Sequence, residues 1–174
     1  MITIIKGTNR KESTTSRVAS ALQTLIENRG LEACILDLAD LPANFFQPTM
    51  YDVRSKEFLN FIDGPIAHSN RFIFVIPEYN GSYPGVLKLF LDALPVELLR
   101  GKHSSIIGLA DGHAGNIRGQ EHLTGVLHHL KMHVHYHKPK LSGITKAFDA
   151  EGNLVNEAYR KLLQEHVEVV SSDQ

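Results

Sequence analysis

Two short segments of this 174-residue chain carry the side chains best suited to recognising a charged, polar ligand. The first reads Gly7-Thr8-Asn9-Arg10-Lys11-Glu12-Ser13-Thr14-Thr15-Ser16-Arg17. It offers five hydroxyls (Thr8, Ser13, Thr14, Thr15, Ser16) and the guanidinium of Arg10. Hydroxyls donate to phosphate oxygens, and Arg makes paired, charge-assisted contacts. A loop leading into a helix also aims free N–H groups and the positive end of the helix dipole at one point. The segment therefore reads as a pocket for a phosphate monoester. Helix capping alone accounts for one such hydroxyl, not five. The glycines of a dinucleotide fingerprint and the Gly-Lys-Ser/Thr of a P-loop are both missing, which disfavours a nicotinamide-binding Rossmann fold and an NTPase. The second segment is Pro77-Glu78-Tyr79-Asn80-Gly81-Ser82-Tyr83-Pro84-Gly85, where a turn and a proline-started helix account for Asn80-Gly81 and Pro84 but not for the whole string.

Both segments sit where alternating strands and helices would bring them together. Met1 to Lys6 is a β-branched strand stopped by Gly7, and Val18, Leu22, Leu25 and Ile26 share a helical face ending near Gly30. Ala33 to Leu38 is a second strand, and 42–53 is a loop. Phe58, Leu59, Phe61, Ile62 and Ile66 mark the next helix. The unbroken apolar run Phe72 to Ile76, closed by Pro77, suits a central parallel strand covered on both faces. A helix from Pro84 to about Leu94, a strand from Ser105 to Ala110 and the exit loop Gly112-His113-Ala114-Gly115 follow. Leu123, Val126, Leu127 and Leu130 mark the fourth helix, 133–137 the fifth strand, and Asn156 to Val170 the last helix. Five βα units predict an α/β, flavodoxin-like, doubly wound five-stranded parallel sheet, strand order 2-1-3-4-5, with helices on both faces. Ligands of such sheets lie beyond the carboxyl ends of the strands at the switch point, here between strands one and three. Function is therefore expected in the loops after Lys6, Ile76 and Ala110.

Taken together, the two segments resemble the NADPH-dependent FMN reductase family, which includes quinone, azo-dye and chromate reductases. That family carries Gly-Ser-x-Arg-x-x-Ser-x-Asn after strand one and Pro-Glu-Tyr-Asn-x-x-x-Pro-Gly-x-Leu-Lys after strand three. This chain has Gly7-Thr8-Asn9-Arg10-Lys11-Glu12-Ser13-Thr14-Thr15, then Pro77 to Asn80 and Pro84-Gly85-Val86-Leu87-Lys88 without a mismatch. The resemblance implies FMN as cofactor, with NADPH or NADH as electron donor and a flavin, quinone or similar small acceptor. It implies that Thr8, Arg10, Ser13, Thr14 and Thr15 hold the phosphate. Pro77, Glu78, Tyr79, Asn80 and Gly81 would line the ring and ribityl chain, with Gly112 near them. Amides of a tight loop can bond the polar edge of the ring, Tyr79 offers an aromatic surface, and Gly81 permits close approach. Tyr79, Glu78 and solvent all remain candidates for a general acid. The chain departs from the family at Thr8 and Thr15, in place of Ser and Asn, and at Leu89-Phe90-Leu91-Asp92-Ala93. Asp111 and His113 also replace the family's Ser and paired Gly, so an anion stands where an anionic reduced flavin would meet it. These changes keep open a second reading, a non-catalytic flavin-binding electron carrier or a regulatory, partner-binding member of the family.

Composition narrows the field further. At 43% hydrophobic and 21% charged residues, 1–174 reads as a single domain, and a net charge of −1 argues against nucleic acid and against an acidic electron carrier. With Cys34 alone there is no disulfide framework. No signal peptide and no membrane span are expected, hence a cytoplasmic setting. No second nucleotide fingerprint is present, so donor and acceptor are expected to use one open flavin face in turn, a ping-pong scheme. The helix from Pro84 to Leu94 is interrupted only by Lys88, Asp92 and Ala93 among its large apolar residues after Val86. A helix apolar nearly all round needs a second cover. A homodimer or homotetramer packed on it, with the partner completing the flavin pocket, is one solution; cover by the 42–53 loop is the other. Six of ten His lie between His122 and His137, and His133, His135 and His137 would share one face of a strand. No carboxylate lies within that strand to orient them, so no metal site is expected. A receiver domain lacks its phosphoacceptor Asp in the first loop, and a small tyrosine phosphatase lacks a Cys there.

Overall fold

In the computed structural model, which describes residues 1–172, the strands are β1 (Ile2–Lys6), β2 (Ala33–Asp37), β3 (Arg71–Pro77), β4 (His103–Ala110), β5 (His133–Val134) and β6 (Lys140–Ser142). The helices are α1 (Thr14–Glu27), α2 (Lys56–Ile62), α3 (Gly85–Ala93), α4 (Ile117–His129) and α5 (Glu157–Ser172). All pairings are parallel and the order is β2-β1-β3-β4-β5, as the alternation of elements predicts. In-register pairs such as Ile4 with Ile35 and Ile73 place the β-branched runs side by side. Every residue of β1 is buried, and so is Phe72 to Ile76 of β3, because both sheet faces are covered. One core layer joins Phe72, Phe74 and Ile106 to α2, α3 and α4; the other joins Ile4, Ile73 and Ile107 to α1 and α5.

Two expectations need correction. The fifth strand does not run over 133–137: β5 stops at Val134, and the chain leaves the sheet before returning as β6 beside Gly108–Ala110 of β4. Contacts beyond the break hold the new path. The Pro139 carbonyl accepts from Gly108 N (2.9 Å) and Gln120 Nε2 (2.7 Å), which brings the chain back beside β4 at that level. His137 is drawn off the edge by a ring contact to His166, Nδ1 to Nδ1 at 3.0 Å. The alternating His133, His135 and His137 therefore do not share a strand face. Second, α2 ends at Ile62, and Ile66 sits in a wider, π-type turn over Asp63–Ala67 containing Gly64 and Pro65. Of the two covers open to the apolar helix α3, the one within the chain is present. Leu87, Phe90, Leu91 and Ala93 are buried, and the turns Leu38–Asp40 and Pro48–Tyr51 pack against it. Its outer side carries the Lys88–Asp92 ion pair at 2.7 Å. The cover itself exposes Phe46, Tyr51 and Val53.

Candidate functional site

At the end of β1 the chain makes its first turn against β3. Gly7 N donates to Val75 O (2.9 Å), and a Cβ on Gly7 would stand 2.9 Å from Ile76 Cγ2. Only glycine lets the loop pass that close. Thr8 is fully buried; its Oγ1 accepts from Arg10 N (3.2 Å) and shares a hydrogen bond with the Tyr79 hydroxyl (3.0 Å). Ser13 is the N-cap of α1, accepting from Ser16 N at 3.3 Å. The five hydroxyls thus divide their work: Thr8 ties the loop to its neighbour and Ser13 caps the helix. Thr14 and Thr15 open the first turn of α1, where backbone N–H groups have no partner within the helix. Arg10 makes no ion pair among the described residues.

β3 delivers the second segment. Glu78 N donates to Leu109 O (2.8 Å), which extends the sheet one residue past Pro77. Tyr79 and Ser82 then exchange backbone hydrogen bonds across Asn80 (φ 51°) and Gly81 (φ 76°). Two left-handed residues in an Asn-Gly pair give the two-residue turn that sequence favours. Ser82 Oγ meets His122 Nδ1 at 2.9 Å, bracing the turn against α4.

β4 closes the site. Asp111 accepts from Thr145 N (3.1 Å) and Thr145 Oγ1 (2.6 Å), and these hydrogen bonds hold its carboxyl below the usual range. Asn116 adopts the left-handed conformation, caps α4 through Gly119 N (3.1 Å) and donates to Ile76 O (3.2 Å).

The cleft formed by these three strand ends is lined by Arg10, Ser13, Thr14, Thr15, Pro77, Glu78, Tyr79, Leu109, Ala110, Asp111 and Ile144. Seven of the residues expected from sequence converge there. Thr8 lies beneath it, and Asn80, Gly81 and Gly112 are outside the lining, Gly112 on an exposed loop. Sequence reasoning missed Leu109 and Ala110, which are the mouth end of β4, and Ile144, which follows β6. The left-handed Asn116 before an amphipathic run was a readable helix start; nothing local pointed to Ile144.

The residues present fit a flavin mononucleotide. The N-terminus of α1 and Arg10 together present N–H donors and a positive charge suited to a phosphate, while the Asp111 carboxylate at the rim is held ionised and tethered through Oδ1 to Thr145. At about 150 Å³ the cleft is smaller than the roughly 300 Å³ or more that encloses a whole cofactor. The cleft therefore has room for part of the cofactor, and the remainder would lie outside it.

The family model for NADPH-dependent FMN reductases matches residues 1–141. A 2-hydroxy-1,4-benzoquinone reductase of Burkholderia sp. is 32% identical over 169 residues, covering 94% of this chain and 90% of that one. An NAD(P)H-dependent FMN reductase of Pseudomonas aeruginosa is 29% identical over 146 residues, 81% of this chain and 77% of its own. Among solved structures, FerB, a flavoenzyme NAD(P)H:(acceptor) oxidoreductase from Paracoccus denitrificans, superposes with a TM-score of 0.81 at 28% identity. That match covers 97% of this chain and 93% of FerB.

Proposed function

From the premise that this chain belongs to the NADPH-dependent FMN reductase family, we propose that the cleft at the ends of β1, β3 and β4 is its flavin site. The protein is an FMN-dependent NAD(P)H oxidoreductase acting on a quinone, flavin or similar small acceptor. The observation that carries the site is the convergence of the α1 N-terminus and Arg10 with the Pro77–Tyr79 segment across one cleft.

Arg10 and the first-turn amides of α1, with Thr14 and Thr15, would hold the phosphate by charge-assisted hydrogen bonds. Pro77, Glu78 and Tyr79, held rigid by the Asn80-Gly81 turn, would line the ring edge, with Gly81 and Gly112 outside the cleft lining. FMN, when bound, supplies the two-electron chemistry that no side chain possesses. The Thr8–Tyr79 hydrogen bond couples the phosphate loop to the ring loop, so binding at one fixes the other. The Tyr79 hydroxyl is thereby engaged with Thr8, which favours Glu78 or solvent over Tyr79 as proton donor to the acceptor.

Because part of the cofactor would lie outside the cleft and no second nucleotide fingerprint exists, donor and acceptor use the same face in turn. Parallel lines in double-reciprocal plots are expected; intersecting lines would refute this order. Adding FMN to the purified protein and following NADPH and NADH oxidation with a quinone is the direct test of function. Failure to bind flavin would sink the reading.

The exposed Phe46, Tyr51 and Val53 beside α3 support a homodimer through that cover. Sedimentation as a monomer at micromolar concentration would overturn it. No helix among the described residues is long and apolar enough to cross a membrane, and with one free cysteine we place the protein in the cytoplasm.

A further inference from the structure

The opposite edge of the sheet, where β1, β3 and β4 begin at Ile2, Arg71 and His103, carries a second concavity. Along β4 its nearest lining residue, Ser105, stands about 13 Å from Leu109 of the flavin cleft, at roughly 3.3 Å per residue. A longer fifth strand would close this edge. Instead β5 stops after two residues, and its departure leaves a cavity of about 380 Å³ between the sheet, the 133–136 segment and the end of α5. That volume suits a molecule of one or two rings.

Its floor is apolar, built from Ile2, Phe72, Ile73, Val134 and Val170. Its walls are two ring pairs: His103 against His133, with centroids 5.1 Å apart, and His135 against Tyr136 at 4.4 Å. Such faces and edges pack on a flat aromatic guest. No Asp, Glu or Lys is among the described residues of the lining. The one guanidinium, Arg71, is already engaged, in part by donating to Ser171 O at 3.2 Å. Ser104 Oγ donates to His133 O (3.2 Å), and Ser105 Oγ is bonded to His166 Nε2 (3.0 Å). What the rim offers is imidazole and phenol, side chains that hydrogen-bond a hydroxyl. An anion entering here would lose its water without gaining an unengaged cation. A hydroxylated aromatic loses little.

We infer that this cavity is a second ligand site, for a small uncharged phenolic ring. The site binds and does no chemistry. Ser105 has no competent base, since burial pushes its partner His166 down to about 3, far too weak to take a hydroxyl proton at neutral pH.

The test titrates the FMN-saturated, full-length protein with 2-naphthol by calorimetry, with 2-naphthoate as the charged counterpart. One saturable site per chain is expected, with flavin retained. Naphthoate should bind roughly tenfold more weakly, because its charge must be desolvated. His103 and His133 are exposed, so His103→Ala and His133→Ala leave the core intact; each should weaken naphthol about fivefold or more by removing one ring wall. Methyl resonances report independently of the variants: Val134 and Val170 should shift on adding naphthol. Absence of saturable binding, naphthoate binding as tightly, indifference to both histidine variants, or shifts confined to the flavin cleft would each overturn the assignment.

Discussion

The two ends of one parallel sheet have been finished in opposite ways. At the carboxyl end, β1, β3 and β4 stop one after another, each a residue or two beyond the last, and short polar loops bring a guanidinium, helix N–H groups and a rigid turn to one point. At the amino end, the edge strand gives out early and leaves apolar floor and imidazole rings. The carboxyl end is electrostatic: its ligand must bring charge, and hydrogen bonds such as Asp111 to Thr145 arrange the local field. The amino end has one charged residue among its described lining, Arg71, which is already engaged. A parallel sheet makes this asymmetry natural, because helix N-termini follow the carboxyl ends of strands and nowhere else.

Removing the charge at the carboxyl end should have the largest effect. Arg10→Ala is expected to weaken FMN by roughly tenfold to a hundredfold, the range for losing a charge-assisted contact of about 1.5–3 kcal/mol. Quenching of FMN fluorescence reads this, and unchanged affinity would erase the contrast between the two ends.

Acid should act on the other end. His166 is fully buried, and its pKa is pushed down to about 3 by desolvation, with His137 and His135 opposing its charge. Burial likewise lowers that of His137. Between 6.5 and about 3 the folded chain therefore binds fewer protons than the unfolded one. Its stability is whole above pH 6.5 and falls as pH drops, by at most about 1.4 kcal/mol per pH unit for His166. Urea unfolding at pH 7 and 5.5 measures the difference. His166→Gln should lower stability at pH 7 and flatten the slope; an unchanged slope would show that the buried histidine is not its origin.

Tyr79→Phe sharpens the comparison within the cleft. It removes the hydrogen bond that joins the two loops, so the flavin-free protein should lose about 0.5–1.5 kcal/mol of stability, and FMN affinity should fall as well because the two loops are no longer tied. An effect on stability alone would make Tyr79 a structural residue only. The smallest expected effect belongs to the outer side of α3. Breaking the exposed Lys88–Asp92 pair with Lys88→Ala should cost no more than about 0.5 kcal/mol, unless that side is an interface, in which case the dimer dissociates at higher concentration in sedimentation.

Much of the site could be read from residue order because its parts are local. The Asn80-Gly81 turn, the Ser13 cap and the hydroxyl run at the start of α1 each follow from a few adjacent residues. The apolar runs of β1 and β3 likewise announce buried strands. What escaped reading is what depends on distant partners. Thr8 and Tyr79 are 71 residues apart in the chain, Asp111 and Thr145 34, Ser105 and His166 61. Thr8 reads locally as one more phosphate donor, yet its neighbour in space made it the fastening between loops. Asp111 reads as a free anion, yet Thr145 tethers its carboxylate by two hydrogen bonds.

The histidines show the same division most sharply. Alternation of His133, His135 and His137 is a strand pattern, and by itself it predicts three rings on one face. Only tertiary structure decides otherwise: the chain rejoins β4 at Pro139 and β6, and the ring of His137 finds His166 on a helix 29 residues away. The sequence by itself determined the order of elements, the strand pairing that order permits, and the two ligand loops, because each rests on short-range pattern and turn chemistry. The interrupted edge, the covered helix α3 and the cavity at the foot of the sheet were decided by packing, since no local rule states which side chains will meet across the fold.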